Sequence, residues 1–252
     1  MKFDELEASL RIFETAHDHC VLPGIQIVAR LDGHNFSRLT KETYQFEAPF
    51  DIRFRDHMLV VVKHLMGCGF RVIYGYTQSD EISLLFHSEE SAFGRKERKY
   101  NSILAGEASA RLSLLLGGQA CFDCRLSQLP ALDNVVDYFR WRQEDAHRNA
   151  LNAHCYWSLR KQGLSVQATT QQLVGLSVAG KNELLFQQGL NFNDLPTWQK
   201  RGMGVYWAEF EKEAWNPKTQ QKVTARRRRL KVDLELPMRD EYSEFIRQML
   251  NS

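Results

Sequence analysis

A short acidic turn joins two strand-like segments near residue 80, and this hairpin limits the possible folds of the chain more than any other feature. Both segments, residues 70–76 and 82–87, are rich in apolar and aromatic side chains, a composition typical of β-strands. Strands joined by so short a connection pair in antiparallel fashion. The hairpin therefore supplies two neighbouring strands of a sheet, with acidic side chains at their common end.

The segments before and after the hairpin give the order of the predicted elements. Strands are predicted at residues 25–31 and 120–126, and apolar residues at helical spacing predict helices at 51–66 and 100–116. The order β-α-β-β-α-β is that of the ferredoxin-like fold, in which the first and third strands lie side by side. We therefore predict an α+β fold built on a ferredoxin-like palm domain, of the kind found in polymerases and cyclases.

The pattern changes after Pro130. Helices are predicted at residues 134–162, 170–175 and 180–186, and strands at 202–210 and 228–236. We predict a palm-like catalytic core over residues 1–130 and an extension of helices and small strands over residues 131–252. No linker composition separates the two parts, so we expect the extension to pack on the core.

Composition limits the class of protein. Of the 252 residues, 43% are hydrophobic and 25% are charged, and no segment approaches the roughly 20 apolar residues of a membrane-spanning helix. The acidic N-terminal residues lack the apolar centre of a signal peptide. Five cysteines without a framework spacing indicate reduced thiols. We expect a cytoplasmic protein without a membrane partner.

Basic residues are concentrated near the C-terminus, although the net charge is only +2. Residues 218–231 contain no acid, and such a segment can neutralise the phosphates of a nucleic acid. A solvated charged face would have the same composition. We predict that this basic tail binds the phosphates of a nucleic acid through Arg226, Arg227, Arg228 and Arg229.

Acidic side chains stand at the ends of the central strands. Asp32 follows the first strand directly, and Asp80 and Glu81 form the hairpin turn. Carboxylates brought to one end of a sheet repel each other and favour a bound cation. Two divalent metals are the usual apparatus for in-line displacement at phosphorus. We predict that Asp32, the Gly33 carbonyl and Asp80 hold two metals, and that Glu81 faces away in a supporting role.

Four motifs in this order resemble those of the tRNA(His) guanylyltransferase family, including its guanylyltransferase-like members that repair tRNA 5′ ends. The resemblance extends from about residue 28 to about residue 207. The motifs are RLDGHNF at 30–36, GYTQSDE at 75–81, YFRWRQEDAH at 138–147 and KNELLF at 181–186.

The resemblance implies an enzyme that adds nucleotides to tRNA in the 3′-to-5′ direction. Its implied cofactors are two Mg²⁺ ions, its substrates GTP or other nucleoside triphosphates, and ATP would activate a 5′-monophosphate. The resemblance also implies a tetramer. It places nucleotide contacts at His34, Asn35, Phe36, Ser37 and Ser79, a phosphate contact at Lys99, and tRNA contacts at His147, Asn149 and Lys181.

The chain departs from the family pattern at Ala48, Ala150, Asn152 and Ala153, where other members carry basic or polar groups near tRNA. These departures favour the repair branch over strict selection of tRNA(His). From the residues alone, two alternative functions remain open. A palm-type nucleotide cyclase would need neither the basic tail nor the motif at 181–186. A non-catalytic ferredoxin-like RNA-binding module would not place acids at the hairpin turn.

Overall fold

The computed structural model describes residues 2–216 and 221–250. The strands are β1 (Gln26–Gly33), β2 (Val72–Gln78), β3 (Glu81–Phe86), β4 (Phe122–Leu129), β5 (Met203–Asn216) and β6 (Gln221–Asp233). The helices are α1 (Phe3–Thr15), α2 (Phe36–Arg38), α3 (Ile52–Leu65), α4 (Glu97–Leu116), α5 (Leu132–Lys161), α6 (Val166–Leu173), α7 (Val178–Gln187), α8 (Thr197–Arg201) and α9 (Arg239–Leu250).

All six strands form one antiparallel sheet in the order β4-β1-β3-β2-β5-β6. The neighbouring positions of β1 and β3 confirm the predicted ferredoxin-like arrangement. The last two strands are longer than the small strands expected, with 14 residues in β5 and 13 in β6. They join the same sheet because β5 pairs with β2 from Tyr74 opposite Tyr206 to Thr77 opposite Met203. The division at residue 130 stays a prediction.

Alternation along β1 explains how the sheet buries both faces. Ile27, Ala29 and Leu31 pack into the core with α3 and α4, whereas Val28 packs into the second core with α5 and α9. Successive strand residues point to opposite faces, so one strand serves both cores. A third cluster joins the C-terminal half of α5 to α6 and α7. Helix α5 therefore connects the sheet to the helical region.

Strand pairing and helix capping explain two differences between predicted and observed element ends. Strand β1 continues through Asp32 and Gly33 because both remain paired with β4. Helix α6 begins at Val166 rather than near residue 170, since the Ser165 hydroxyl accepts a hydrogen bond from the Ala168 amide at 3.2 Å and caps it. Within the described residues, no helix has the length and apolar character needed to cross a membrane.

Candidate active site

The β2–β3 turn is held in place from both sides. Ser79 adopts a positive φ of 54°, which is uncommon for a residue other than glycine. The Thr77 hydroxyl donates to the Glu81 carbonyl at 2.8 Å, and the Gln78 amide donates to the Gln199 carbonyl at 2.7 Å. The turn therefore presents Asp80 from a supported position at the end of the sheet.

Asp32 lies in a row of three carboxylates that crosses the sheet. Its direct partners are Glu81 on β3 and Asp123 on β4, and cross-strand partners share a face of the sheet. Arg125 lies 3.5 Å from Asp123 and 4.0 Å from Asp32. Sequence reasoning missed Asp123 and Arg125. Only the pairing of β1 with β4 brings them to Asp32.

Asp80 is the acid whose surroundings are least favourable to a negative charge. Burial raises its pKa, and the nearby charges of Asp32 and Glu81 raise it further. A cation between Asp32 and Asp80 would relieve that repulsion. Asp32, Asp80 and the Gly33 carbonyl offer the oxygen ligands that Mg²⁺ takes, so these residues fit the expected metals.

This donor set contains only two carboxylates. Accordingly, the residues that the structure describes include no group of three or more His, Cys, Asp or Glu side chains arranged to hold a metal. Mg²⁺ usually keeps several waters and completes its coordination with the phosphates of a substrate rather than with a full protein cage. A set of two carboxylates and one carbonyl is therefore compatible with that ion.

Glu81 differs from its predicted placement. It faces the same side of the sheet as Asp32 and lines the same cavity as Asp80, because Asp80 lies in the turn, where strand alternation does not apply. Its carboxylate accepts from Arg30 at 2.6 Å and from Arg142 at 3.0 and 3.2 Å. Arg142, only 4% exposed, also lies 3.5 Å from Asp145. Two arginines thus compensate Glu81.

A cavity of about 330 Å³ opens above these acids. The acids lie near Arg142 at one end of the cavity, small residues of α5 follow, and Phe50 and Trp157 lie towards the other end. Of the predicted site residues, Asp32, Phe36, Ser37, Ser79, Asp80, Glu81 and Asn149 line it. The other lining residues are Thr40, Lys41, Pro49, Phe50, Phe54, Tyr76, Gln78, Arg142, Asp145, Ala146, Ala150, Ala153 and Trp157.

The loop after β1 is shaped by close packing between a glycine and a ring. A Cβ atom at Gly33 would lie 2.5–2.7 Å from ring atoms of Phe36, so any larger residue there would have to displace the ring. Phe36 is buried against Phe122, with ring centroids 4.9 Å apart. Gly33 and Asn35 line a second, more open cleft that also includes Asp80. The predicted loop residues therefore border the acidic site.

His34 and Lys99 are not among the residues that line either space. The His34 ring lies 2.8 Å from the Asn35 amide. Lys99 does not occupy its predicted place beside the acids. It is on the first turn of α4, with its ammonium 5.9 Å from the Phe93 ring, and Phe93 packs on Phe70 at the end of β2 opposite the β2–β3 turn. The neighbouring cations Lys96 and Arg98 both pair with Asp18.

The predicted tRNA contacts on α5 and α7 divide between two places. Asn149 lines the acidic cavity and donates to Asp145 at 3.1 Å. His147 lines a separate cleft together with Asn182 of α7. Lys181 precedes Asn182 in the sequence and is not among the residues that line this cleft. Burial lowers the pKa of His147, and the charges of Arg201, Lys200 and Arg239 lower it further. These cations lie near His147, but the residues that line the cleft include Glu183 and no lysine or arginine.

The basic segment is a strand rather than a tail. Lys218 lies outside the described residues, but residues 221–231 belong to β6 and pair with β5. Arg226 and Arg228 are opposite Glu211 and Glu209, and Arg226 lies 4.0 Å from Glu211. Arg227 and Arg229 are opposite Phe210 and Ala208, which carry no charge. All four arginines are exposed.

The antiparallel sheet of this protein, with acids at one end and an open cavity above them, has the arrangement of a palm-like fold. The family model described as tRNAHis guanylyltransferase matches residues 7–130, and the one for its C-terminal domain matches residues 133–244. The chain is 35% identical over 195 residues to a probable tRNA(His) guanylyltransferase of Drosophila melanogaster, covering 73% of this chain and 68% of that protein. The chain belongs to the tRNA(His) guanylyltransferase family, whose members are nucleotidyltransferases.

Solved structures agree with this assignment. A bacterial tRNA(His) guanylyltransferase-like protein in complex with ATP superposes with a TM-score of 0.78 at 25% identity, covering 98% of this chain and 100% of that chain. The Saccharomyces cerevisiae tRNA(His) guanylyltransferase gives a TM-score of 0.72 at 29% identity, covering 81% of this chain and 93% of that chain. Membership of the family favours an enzyme over the RNA-binding module and over the cyclase.

Proposed function

We propose that this protein is a Mg²⁺-dependent nucleotidyltransferase that adds nucleotides to the 5′ end of tRNA in the 3′-to-5′ direction. The observation that carries the proposal is the elongated cavity, with Asp32 and Asp80 at one end and Phe50 and Trp157 towards the other. A nucleoside triphosphate fits this arrangement, because its phosphates would bind through metals at the acidic end and its aromatic base would lie against the rings. Structural neighbours in complex with ATP and with GTP support triphosphates as substrates.

Asp32, Asp80 and the Gly33 carbonyl would hold two Mg²⁺ ions. When bound, these ions neutralise charge on the phosphates and favour ionisation of the attacking 3′-hydroxyl. The protein's own contribution is to keep the acids at a fixed spacing. Glu81 and Arg30 join β3 to β1 beside Asp32, so we assign Glu81 a catalytic role through positioning rather than as a metal ligand.

The remaining predicted residues, except Lys99, would bind the substrates. We assign nucleotide contacts to the loop that contains His34, Asn35, Phe36 and Ser37, together with Ser79. We do not place Lys99 in this site, because its ammonium lies beside Phe93, which packs on Phe70 at the end of the sheet opposite Asp80. His147, Asn149 and Lys181 are proposed to contact the tRNA end, with Asn149 reaching it from the acidic cavity and His147 from the second cleft.

Arg227 and Arg229 are the arginines of β6 best placed to contact tRNA. They face the same side of the sheet as α5, because Lys231 on that face pairs with Tyr206 of the α5 core. Arg226 and Arg228 face the other side, opposite glutamates. Replacing Arg227 and Arg229 by Gln should reduce the salt dependence of tRNA binding by about one log-log unit per lost contact.

The matched control replaces Arg226 and Arg228 by Gln, removing the same charge from the opposite face. We expect this control to change the slope less, since these side chains already face acids. Filter binding of tRNA at several salt concentrations measures both slopes. Unchanged slopes in both variants would instead support a solvated charged face.

The activity is tested by comparing two tRNA substrates. We expect the protein to restore missing 5′ nucleotides to several truncated tRNAs with labelled nucleotides, preferring the Watson–Crick match to the opposite strand. Asp32→Asn should lose this activity. A strong preference for adding an unpaired G to intact tRNA(His) would contradict the repair assignment and favour the guanylyltransferase role. No incorporation with either tRNA would contradict the proposed function itself.

We also propose that the protein is a cytoplasmic homo-oligomer, with a tetramer as the expected state. Helix α1 has no buried residue within the monomer, and Phe3 and Phe13 are 76% and 82% exposed. Exposed apolar patches of this kind are typical of subunit contacts. Size-exclusion chromatography with light scattering tests the state, and a monomer at micromolar concentration would contradict it.

A further inference from the structure

One face of helix α5 lines the whole length of the acidic cavity. The lining positions are 142, 145, 146, 149, 150, 153 and 157, spaced as on one side of a helix. The first positions carry charged or polar groups, and Ala146, Ala150 and Ala153 then leave open space. Trp157 follows at the end of this face and also lines the adjoining smaller cavity.

Trp157 differs from the other aromatic residues that line the cavity because a cation, Lys41, lies over its ring. Phe36 and Phe54 pack against each other with centroids 6.3 Å apart, and Phe50 packs edge-on against Trp198 at 5.9 Å. Phe36 and Phe54 are buried in the core, whereas Phe50 is half-buried. Trp157 is half-buried, lines both cavities and packs edge-on against Tyr156 with ring centroids 5.4 Å apart.

Lys41 fixes one side of this indole. Its ammonium lies 5.0 Å from the centre of the Trp157 ring, in a cation–π contact. Lys41 itself is exposed and lines the acidic cavity, the smaller cavity and the open cleft beside Gly33. A cation at this junction lies between the expected positions of the base and of the phosphates.

We propose that Trp157 is the surface on which the base of the incoming nucleotide stacks, with Lys41 holding the indole in place. The proposal rests on the proposed function, because it requires the triphosphate to bind at the Asp32 and Asp80 end. Stacking on an indole accepts every base, since each has a π-face. The site thus accepts all four nucleotides and binds purines more tightly than pyrimidines, and selection among bases is left to pairing with the tRNA.

Equilibrium dialysis in Mg²⁺ buffer tests the proposal with GTP, UTP and inorganic triphosphate as probes. Trp157→Ala should weaken GTP binding by about 5- to 150-fold, the range for loss of one base-stacking side chain. UTP binding should weaken less, and triphosphate binding should stay unchanged. Trp157→Phe keeps an aromatic face and should recover most of the GTP affinity. Trp215→Ala is the matched control, because Trp215 is exposed on β5 outside the cavity.

Unchanged GTP affinity in Trp157→Ala would overturn the proposal while leaving the proposed function intact. Equal weakening of GTP and triphosphate would also overturn it, since that pattern indicates a structural role. Equal GTP affinity in Trp157→Phe and Trp157→Ala would do the same, because stacking requires the ring. Absence of GTP binding by the wild-type protein would contradict both the proposed function and this inference.

Discussion

Replacing Arg142 by Met tests whether the ion network around Glu81 stabilises the acidic end of the sheet. Arg142 is 4% exposed and lies 3.0 Å from Glu81. Methionine keeps much of the apolar stem but leaves Glu81 with Arg30 alone. Removing one partner of a buried ion pair costs about 3–5 kcal/mol. The surviving contact to Arg30, at 2.6 Å, places this variant near the lower end of that range.

The expected loss can be expressed as a melting temperature. At about 2.1 cal/mol/K per residue, the 252 residues give an unfolding entropy of about 0.53 kcal/mol/K, so a loss of ~3 kcal/mol lowers Tm by about 6 °C. Calorimetry of wild type and variant in one buffer measures the shift. Arg140→Met is the matched control on the same helix. Arg140 is 42% exposed, and its pair with Glu144 is a surface pair worth about 1 kcal/mol or less.

A double-mutant cycle isolates the contact from other effects of the substitution. Combining Arg142→Met with Glu81→Gln should give a coupling energy above about 1 kcal/mol, as expected for groups in one ion network. The reasoning is refuted if Arg142→Met melts at the same temperature as Arg140→Met. A coupling energy near zero would refute it as well, because the loss would then come from packing alone.

Three further substitutions test the site and the core. Asp80→Asn should lower the rate of nucleotide transfer about thousandfold while raising Tm without metal, because it removes a charge that burial and Asp32 disfavour; a rate near wild type would contradict the metal role. Gly33→Ala should cost about 1–3 kcal/mol in urea denaturation, since the new methyl group overlaps the Phe36 ring, and an unchanged midpoint would show that the ring can move freely. Burial lowers the pKa of His154 to about 4, from 6.5. Wild-type stability should therefore fall as pH drops from about 6.5 towards about 4, because the unfolded chain takes up a proton that the folded chain does not. His154→Gln should lose this component of the pH dependence of stability. Equal pH dependence of Tm in wild type and variant would contradict the assignment of this component to His154.

The fold could be predicted where apolar residues repeat with a clear period. The long pattern at 134–162 corresponds to α5, Leu132–Lys161, and the paired runs around residue 80 correspond to β2 and β3. The two final strands were predicted as short segments because their outer halves are charged on both faces. Hydrophobic alternation carries no information there, and only the pairing of β5 with β6 defines their length.

A site residue could be predicted from the sequence only where it is unusual among its neighbours in the chain. Asp32 and Asp80 stand out because an acid beside an apolar strand needs a partner. Asp123 does not, since its position next to Asp32 depends on how β1 pairs with β4. The contact between Arg142 and Glu81 joins residues 61 positions apart. Local patterns do not encode such distances, so the charge balance around Glu81 was missed.

Helix α5 also constrains how this protein can change in evolution. Each residue turns a helix by about 100°, so inserting one residue after Arg142 would rotate Asn149, Ala153 and Trp157 away from the cavity together. Single insertions or deletions within this stretch should therefore be rejected, and variation should arise by substitution. The end of the β5–β6 hairpin has no such restriction, because a hairpin lengthened by one residue on each strand keeps its inner pairs.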